Sequence, residues 1–258
     1  MSTTVSRSAI ITGGAQGMGE AIALRLAQEG VNIVVFDIKG KETQLEGVIK
    51  QVEAKGSKGF FFVGDVTIEK DIQDVIAKTV EKFGSLDIMV ANAGILAMKP
   101  ITECTPEDFN RVFGINTLGV MLCYKHAALQ MIKQGRGGRL IGASSIGGKQ
   151  GMAEASLYCS SKFAIRGITQ AAALELKAHN ITVNAYAPGV IQTPMIAHPD
   201  DAKNGGLGST VLANPNLRQG TTSASPSVVG ELVAYLCKPE AFFVNGQTIT
   251  IDGGTYFD

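Results

Sequence analysis

Tyr158 and Lys162 are four residues apart, and Ser145 lies thirteen residues before the tyrosine. Residues four apart share a helix face, so the two side chains would lie about 6 Å apart along it. A free tyrosine has a pKa near ~10, and a neighbouring ammonium favours the phenolate and lowers that pKa. Such a tyrosine could exchange a proton with a carbonyl or alcohol oxygen that Ser145 also hydrogen-bonds. Because most Y-x-x-x-K pairs are simply a helix surface, this interpretation depends on the rest of the chain.

A glycine-rich turn near the N-terminus supplies that context. A short apolar strand at 8–12 is followed by Gly13, Gly17 and Gly19, and residues 17–29 then continue with helical spacing. A strand, a glycine turn and a helix together direct backbone N–H groups towards a phosphate. Asp37 ends the next apolar strand, where an acidic side chain can bind the ribose hydroxyls of a dinucleotide. The spacing is G-x-x-x-G-x-G, which differs from the usual G-x-G-x-x-G.

The rest of the chain alternates between predicted strands and helices. We expect strands near 8–12, 32–36, 59–63, 86–91, 138–143, 181–187 and 247–251, and helices near 17–29, 40–55, 68–83, 106–134, 157–179 and 226–238. This alternation predicts an α/β fold, with a doubly wound parallel sheet of about seven strands and helices on both faces. No linker or repeat divides the chain, so residues 1–258 are expected to form a single domain. Ligands should bind beyond the carboxyl ends of the strands.

In these motifs and their order, the chain resembles the classical short-chain dehydrogenase/reductase family over essentially its whole length. The resemblance implies a Rossmann fold, with Ser145, Tyr158 and Lys162 as catalytic residues and Asn116 holding a water in a proton relay. It also implies a cofactor site made by Gly13, Gln16, Gly17, Met18, Gly19, Asp37, Ile38, Asp65, Val66, Asn92, Ala93, Gly94, Tyr158, Lys162, Pro188, Gly189, Val190 and Thr193. The family often has Asn where this chain has Ala91.

The expected cofactor is NAD(H). Asp37 should accept hydrogen bonds from the adenosine ribose and repel a 2′-phosphate. Gln16 and Ile38 are uncharged, at positions where relatives that bind NADP(H) often have a basic residue.

Composition argues against several other classes of protein. The net charge is zero and the pI about 6.8, so neither nucleic acid nor an anionic membrane is an expected partner. No apolar run approaches the ~18 residues of a membrane span, and no secretory segment is recognisable. The four cysteines are scattered, as in a cytoplasmic protein with reduced thiols. The three histidines lack metal-ligand spacing, so no metal site is predicted.

A segment rich in Gly, Asn, Ser, Thr and Pro interrupts the alternation from 195 to 227. A loop of this length inside a compact domain is often an active-site lid, and the alternative is a disordered surface insertion. The substrate pocket is expected to include Met98, Ile146, Met152 and Met195, whose apolar side chains suit a small neutral alcohol or ketone. No arginine is available to bind a phosphate or carboxylate.

Two segments, YCSSKFAIRGITQ and GQTITIDGGTYFD, most resemble family members that act on acetoin, diacetyl or 2,3-butanediol. The alternative substrate is a bulkier cyclic, terpenoid or steroid alcohol or ketone. A dinucleotide-binding regulator without turnover is a further alternative, although such a protein could lose Tyr158 or Lys162.

The two long predicted helices carry more apolar residues than one packed face needs. These residues are Val112, Phe113, Val120, Met121, Leu122 and Leu129 on the first, and Phe163, Ile165, Ile168, Ala172 and Leu174 on the second. The surplus would be buried against another subunit, and closed symmetry is usual for homo-oligomers. The family resemblance implies a homotetramer, with a dimer as the second choice.

Overall fold

The computed structural model describes residues 6–214 and 217–257. Seven parallel strands form the main sheet, in the order β3-β2-β1-β4-β5-β6-β9. Their bounds are β1 Ser8–Thr12, β2 Asn32–Asp37, β3 Gly59–Val63, β4 Ile88–Ala91, β5 Gly138–Ala143, β6 Ile181–Pro188 and β9 Thr248–Ile251. A separate parallel pair consists of β7 Val190–Ile191 and β8 Ser223–Ala224. The predicted seven-stranded doubly wound sheet is confirmed.

Helices cover both faces of this sheet. Among the described residues they are α1 Gly17–Gln28, α2 Glu42–Ala54, α3 Glu69–Phe83, α4 Pro106–Phe113, α5 Gly119–Gln134, α6 Ser156–Leu176, α7 Asp201–Asn204, α8 Ser209–Leu212 and α9 Ser227–Leu236. Helices α1, α2 and α9 share one apolar core with the sheet, and α3, α5 and α6 share the other. The central strands β1 and β4 are buried along their whole length, as expected for strands packed on both faces.

The helix predicted at 106–134 is interrupted. A capping box between Thr105 and Asp108 starts α4, which passes into a π turn at Gly114–Leu118 before α5 begins. A Cβ on Gly119 would come within 2.8 Å of the Val66 side chain, so this glycine allows the helix to approach the loop after β3. The π turn inserts an extra residue per turn and so changes which side chains face the sheet. The sequence pattern did not reveal it, because the apolar residues continue on both sides.

By length and composition alone, the helical stretch Pro106–Gln134 is apolar enough to cross a membrane. Half of the most apolar 18-residue window in that stretch is buried inside the protein, mainly against the sheet and α3. Packing inside the protein therefore accounts for the buried apolar residues of this stretch.

The segment at 195–227 is more structured than a loop. Its described residues include most of a 3₁₀ turn at Pro194–Ile196, the short helices α7 and α8, and strand β8, while Pro215 and Asn216 lie outside the described residues. Asp201 is buried and accepts hydrogen bonds from the backbone N–H groups of His198, Gly208 and Thr210 at 2.9–3.0 Å. A single carboxylate therefore holds the first half of this segment together.

Candidate active site

Two adjoining cavities open at the carboxyl edge of the sheet, where the sequence predicted ligand binding. The first encloses about 340 Å³ and follows the glycine turn and the ends of β2, β3 and β4. It is lined by Gly13, Gln16, Gly17, Met18, Asp37, Ile38, Asp65, Val66, Asn92, Ala93, Gly94 and Thr193, all from the predicted cofactor set. The second, about 320 Å³, adds Tyr158, Lys162, Pro188, Gly189 and Val190. Gly19 lines neither cavity.

The glycine turn makes a narrow cradle that side chains would fill. Gly13 and Gly17 have φ values of 64° and 61°, in the left-handed region that glycine adopts without strain. A Cβ on Gly19 would lie 2.1 Å from the Gly13 carbonyl oxygen, so Gly19 serves the close packing of α1 under the turn. The Asn92 amide donates to the carbonyls of Thr12 and Gly13, which fixes the turn against the end of β4. This cradle and Asp37 fit the pyrophosphate and ribose of a dinucleotide.

Asp37 lies at the end of the cleft that would receive the adenosine ribose. Its carboxylate accepts hydrogen bonds from the N–H groups of Ala15 and Ile38, at 3.0 and 2.9 Å. Lys41 also lines the cleft, and its Nζ donates to Gln16 Oε1 at 3.2 Å. The sequence did not predict this cation in the cleft, because a basic residue that binds a 2′-phosphate was expected at the positions of Gln16 and Ile38. The lysine just before α2, four residues after Asp37, was the available signal.

Ser145, Tyr158 and Lys162 meet in the second cavity, and all three are buried. The Ser145 hydroxyl is hydrogen-bonded to the Tyr158 phenol. Lys162 Nζ donates to the Ala143 carbonyl at 2.8 Å and lies 5.8 Å from the centroid of the Tyr158 ring. The neighbouring Ser144 instead donates its hydroxyl to the Lys162 carbonyl, at 3.0 Å, and so fixes α6. Of the two serines, only Ser145 is bonded to the phenol.

The pKa of Tyr158 differs from the expectation that the neighbouring Lys162 would lower it. Burial raises the pKa of Tyr158, and the hydrogen bond from Ser145 opposes that rise without cancelling it. Burial also lowers the pKa of Lys162 to about 8. The prediction that the ammonium lowers the pKa of the tyrosine below its ordinary value is therefore wrong for this chain by itself. Desolvation by burial is the largest cause of both shifts.

Asn116 lies in the π turn and hydrogen-bonds both to the loop after β4 and to α6. Its amide nitrogen donates to the Ile95 carbonyl and to Ser161 Oγ, both at 3.0 Å, while its oxygen accepts from Ile95 N–H at 2.8 Å. Ser161 in turn donates to the Tyr158 carbonyl at 2.7 Å. Both amide donors are thus used within the protein, and one acceptor position remains on the amide oxygen. The Asn116 side chain therefore links the loop after β4 to α6, the helix that carries Tyr158.

The four predicted substrate residues, Met98, Ile146, Met152 and Met195, all line the second cavity. The second cavity is also lined by residues that the sequence did not predict: Gln150, Ile196, Val211, Asn214, Leu217 and Tyr256. Tyr256 comes from the C-terminal tail, and no local pattern links that tail to Tyr158. Lys162 is the only charged side chain among the described residues that line this cavity. The cavity therefore suits a neutral, partly apolar molecule.

Comparison with known proteins agrees with this geometry. The profile of the short chain dehydrogenases matches residues 7–204. A short-chain dehydrogenase/reductase of Armillaria gallica is 44% identical over 268 aligned positions, which cover 100% of this chain and 99% of that protein. The L-2,3-butanediol dehydrogenase of Corynebacterium glutamicum is 36% identical, covering 98% of this chain and 100% of its own.

A solved structure extends the comparison to the fold. The short chain dehydrogenase of Mycobacterium paratuberculosis bound to NAD superimposes with a TM-score of 0.87 and 32% identity. The superposition covers 97% of this chain and 98% of that one. Each of these proteins is similar to the present chain over nearly its whole length.

Proposed function

This chain belongs to the short-chain dehydrogenase/reductase family, and from that membership we propose an NAD(H)-dependent enzyme that interconverts a neutral secondary alcohol and its ketone. The observation that carries the proposal is the meeting of Ser145, Tyr158 and Lys162 in a cavity that adjoins the glycine-turn cleft. A substrate oxygen at Tyr158 would thereby lie next to a bound nicotinamide. When bound, the nicotinamide supplies or accepts the hydride.

In the proposed mechanism, the protein moves the proton. During reduction, the Tyr158 phenol donates its proton to the carbonyl oxygen, which the Ser145 hydroxyl holds in place. During alcohol oxidation, the phenolate takes that proton back. Lys162 lies beside the phenol, and its positive charge favours the phenolate whenever the lysine is protonated. Asn116 has one free acceptor position that could bind a water linking Lys162 to solvent.

The proposed substrates are acetoin, diacetyl and 2,3-butanediol. The neutral, methionine-rich lining favours a small uncharged carbonyl compound. The relative named L-2,3-butanediol dehydrogenase supports the same assignment by similarity.

A bulkier ketone is the second candidate, and the extent of the apolar lining favours it. Beyond Met98, Met152 and Met195, the lining continues to the apolar side chains of Val211 and Leu217 in the 195–227 segment. Pro188, Gly189 and Val190 of the expected cofactor site also line this 320 Å³ cavity, so the substrate would share its volume with the nicotinamide.

One assay separates these candidates. A panel of diacetyl, acetoin, 2,3-butanediol and bulky cyclic ketones is followed by the absorbance of the reduced nicotinamide, with both NAD(H) and NADP(H). We expect turnover of the small compounds with a preference for NAD(H). Inert diacetyl and acetoin beside rapid turnover of a cyclic ketone would favour the second candidate. The absence of turnover with every compound would contradict the enzyme itself.

We further propose that the protein is a homotetramer in the cytoplasm. Several apolar side chains on the outer faces of α4, the π turn, α5 and α6 are exposed in the single chain: Phe109, Leu118, Met121, Leu129, Ile132, Phe163 and Leu174. Several large exposed apolar side chains on neighbouring helices are consistent with burial against another subunit. The 106–134 and 157–179 regions were expected to carry that surface, although Val112, Val120, Leu122 and Ile165 are buried within the chain itself.

A further inference from the structure

Most polar side chains that line the 320 Å³ cavity are already engaged within the protein. The engaged side chains are Asn92, Ser144, Ser145, Tyr158, Lys162 and Asn214. Within the described part of the chain, three lining side chains with polar groups form no hydrogen bond of their own: Gln150, Thr193 and Tyr256. Thr193 also lines the cofactor cleft, and the Tyr256 ring packs 5.9 Å from the Arg218 guanidinium. Gln150 is the one amide left available to a substrate.

Gln150 lies on a turn that is fixed relative to Ser145. Gly147 N–H donates to Ser145 Oγ at 3.1 Å, and Gly148 N–H donates to the Ser145 carbonyl at 2.8 Å. The N–H of Gln150 then donates to the Ile146 carbonyl at 3.0 Å. A Cβ on Gly148 would approach Ser144 Oγ to 2.3 Å, so the turn packs closely against its surroundings. These contacts hold the backbone at Gln150 close to Ser145, and the Gln150 side chain lines the same cavity as the Ser145 hydroxyl.

We propose that Gln150 is a specificity residue that hydrogen-bonds a second oxygen of the substrate, next to the one held by Ser145 and Tyr158. This inference rests on the proposed function and narrows its substrate class to compounds with two neighbouring oxygens, which are vicinal diketones, hydroxyketones and diols. Gln150 is exposed in the single chain, so water hydrates its amide there and a substrate oxygen would replace that water on binding.

An amide suits this role because the second oxygen exists in two states. In a diketone it is a carbonyl, which needs a hydrogen-bond donor. In a hydroxyketone or a diol it can be a hydroxyl, which can also donate. Glutamine offers an NH₂ donor and a carbonyl acceptor without changing its charge. The same side chain can therefore bind the second oxygen both when a diketone is reduced to a hydroxyketone and when a hydroxyketone is reduced to a diol.

The test compares substrates that differ by one oxygen. Steady-state kcat/KM is measured for acetoin and for 2-butanone with NADH, in the wild type and in Gln150→Met, which keeps the length of the side chain. We expect the ratio of acetoin to 2-butanone to fall by about 2- to 10-fold, the range for the net loss of one hydrogen bond. Gln44 is exposed on α2 and lines neither cavity, so Gln44→Met is the matched control that leaves the ratio unchanged.

A second variant tests the donor and acceptor separately. Gln150→Glu keeps an acceptor for a hydroxyl and loses the donor for a carbonyl. Reduction of diacetyl should therefore fall further than oxidation of 2,3-butanediol. Equal losses of diacetyl reduction and of 2,3-butanediol oxidation would contradict the proposed role of the amide.

The outcomes also separate this inference from the proposed function. If Gln150→Met lowers acetoin and 2-butanone turnover by the same factor, or changes neither, the inference is overturned while hydride transfer stands. A wild-type enzyme that reduces cyclic ketones but neither diacetyl nor acetoin also overturns the inference about Gln150, while hydride transfer stands. A wild type without NAD(H)-linked turnover of any ketone overturns the proposed function, and the inference with it.

Discussion

At the scale of single residues, Tyr158 has the most direct test. Tyr158→Phe keeps the ring and removes the proton, so kcat should fall by roughly 10²- to 10⁴-fold, the usual contribution of general acid–base catalysis. The KM for NADH should change little. Tyr235 is half exposed on α9, and Tyr235→Phe is the matched control. A Tyr158→Phe enzyme that retains more than about a tenth of wild-type turnover would contradict the assigned role.

Lys162 makes stability depend on pH. Because burial lowers its pKa to about 8 in the folded protein, the folded state binds fewer protons than the unfolded state between about pH 8 and 10.5. Stability therefore rises with pH in this window, since raising the pH removes the cost of a buried charge.

The Lys162→Met variant isolates this contribution from the other titrating groups. Urea unfolding of the cofactor-free proteins is measured at pH 7.5 and pH 10. The free energy of unfolding of the wild type, minus that of the variant, should rise by roughly 2 kcal/mol between the two pH values. A difference that stays constant would show that burial does not disfavour the charge.

Cofactor choice depends on two residues with opposite effects. The Asp37 carboxylate disfavours a 2′-phosphate, while the Lys41 amine beside Gln16 would attract one. We expect NAD(H) to be preferred, because Asp37 lies at the end of β2 and is already oriented by two backbone N–H groups. Lys41→Gln should increase the preference for NADH, and Asp37→Ser should reduce it at least tenfold, measured as the ratio of kcat/KM values. Equal ratios in all three proteins would exclude both residues from the ribose site.

At the scale of elements, Asp201 connects the 195–227 segment to substrate binding. Hydrogen bonds from Gly208, His198 and Thr210 hold the pKa of this carboxyl well below its usual range. Asp201→Ala removes all three acceptor contacts, so hydrogen exchange at residues 198–210 should speed up. The KM for the ketone should rise several-fold, with a smaller change in the KM for NADH, because this segment lines the substrate cavity.

The neighbouring Asp200 provides the matched control. It is half exposed, and its partners Lys203 and His198 are also on the surface, so Asp200→Ala should leave both measurements near wild type. If the segment is a lid, NADH should protect residues 195–227 from exchange in the wild type. Equal protection with and without NADH would count against a lid.

At the scale of the whole molecule, the exposed apolar side chains on α5 and α6 predict assembly. Leu129, Phe163 and Leu174 are 57%, 42% and 68% exposed in the single chain. Light scattering at micromolar concentration should give about four times the chain mass of 27.1 kDa. Leu129→Glu combined with Leu174→Glu should reduce that mass, because charged side chains on this face oppose its burial. A wild-type monomer would refute the prediction.

The sequence by itself determined the alternation of strands and helices along the chain and the residue types of the site. Buried parallel strands appear as short continuous apolar runs, and a glycine turn such as Gly13 to Gly19 needs specific residues at fixed spacing. Both are local signals, so they can be recognised without knowing how the chain folds back on itself. The same applies to Tyr158 and Lys162, since one helix sets their separation.

The tertiary structure alone decided the features that depend on distant contacts. Lys41 reaches Gln16 only because α2 begins beside the glycine turn, and Tyr256 reaches the substrate cavity only because β9 ends next to β6. The π turn that carries Asn116 and the hydrogen-bonded network of Asp201 leave no periodic trace in the sequence. The direction of the Tyr158 pKa shift likewise follows from burial by several elements at once. Burial and long-range contacts are properties of the packed chain, so residue spacing could not supply them.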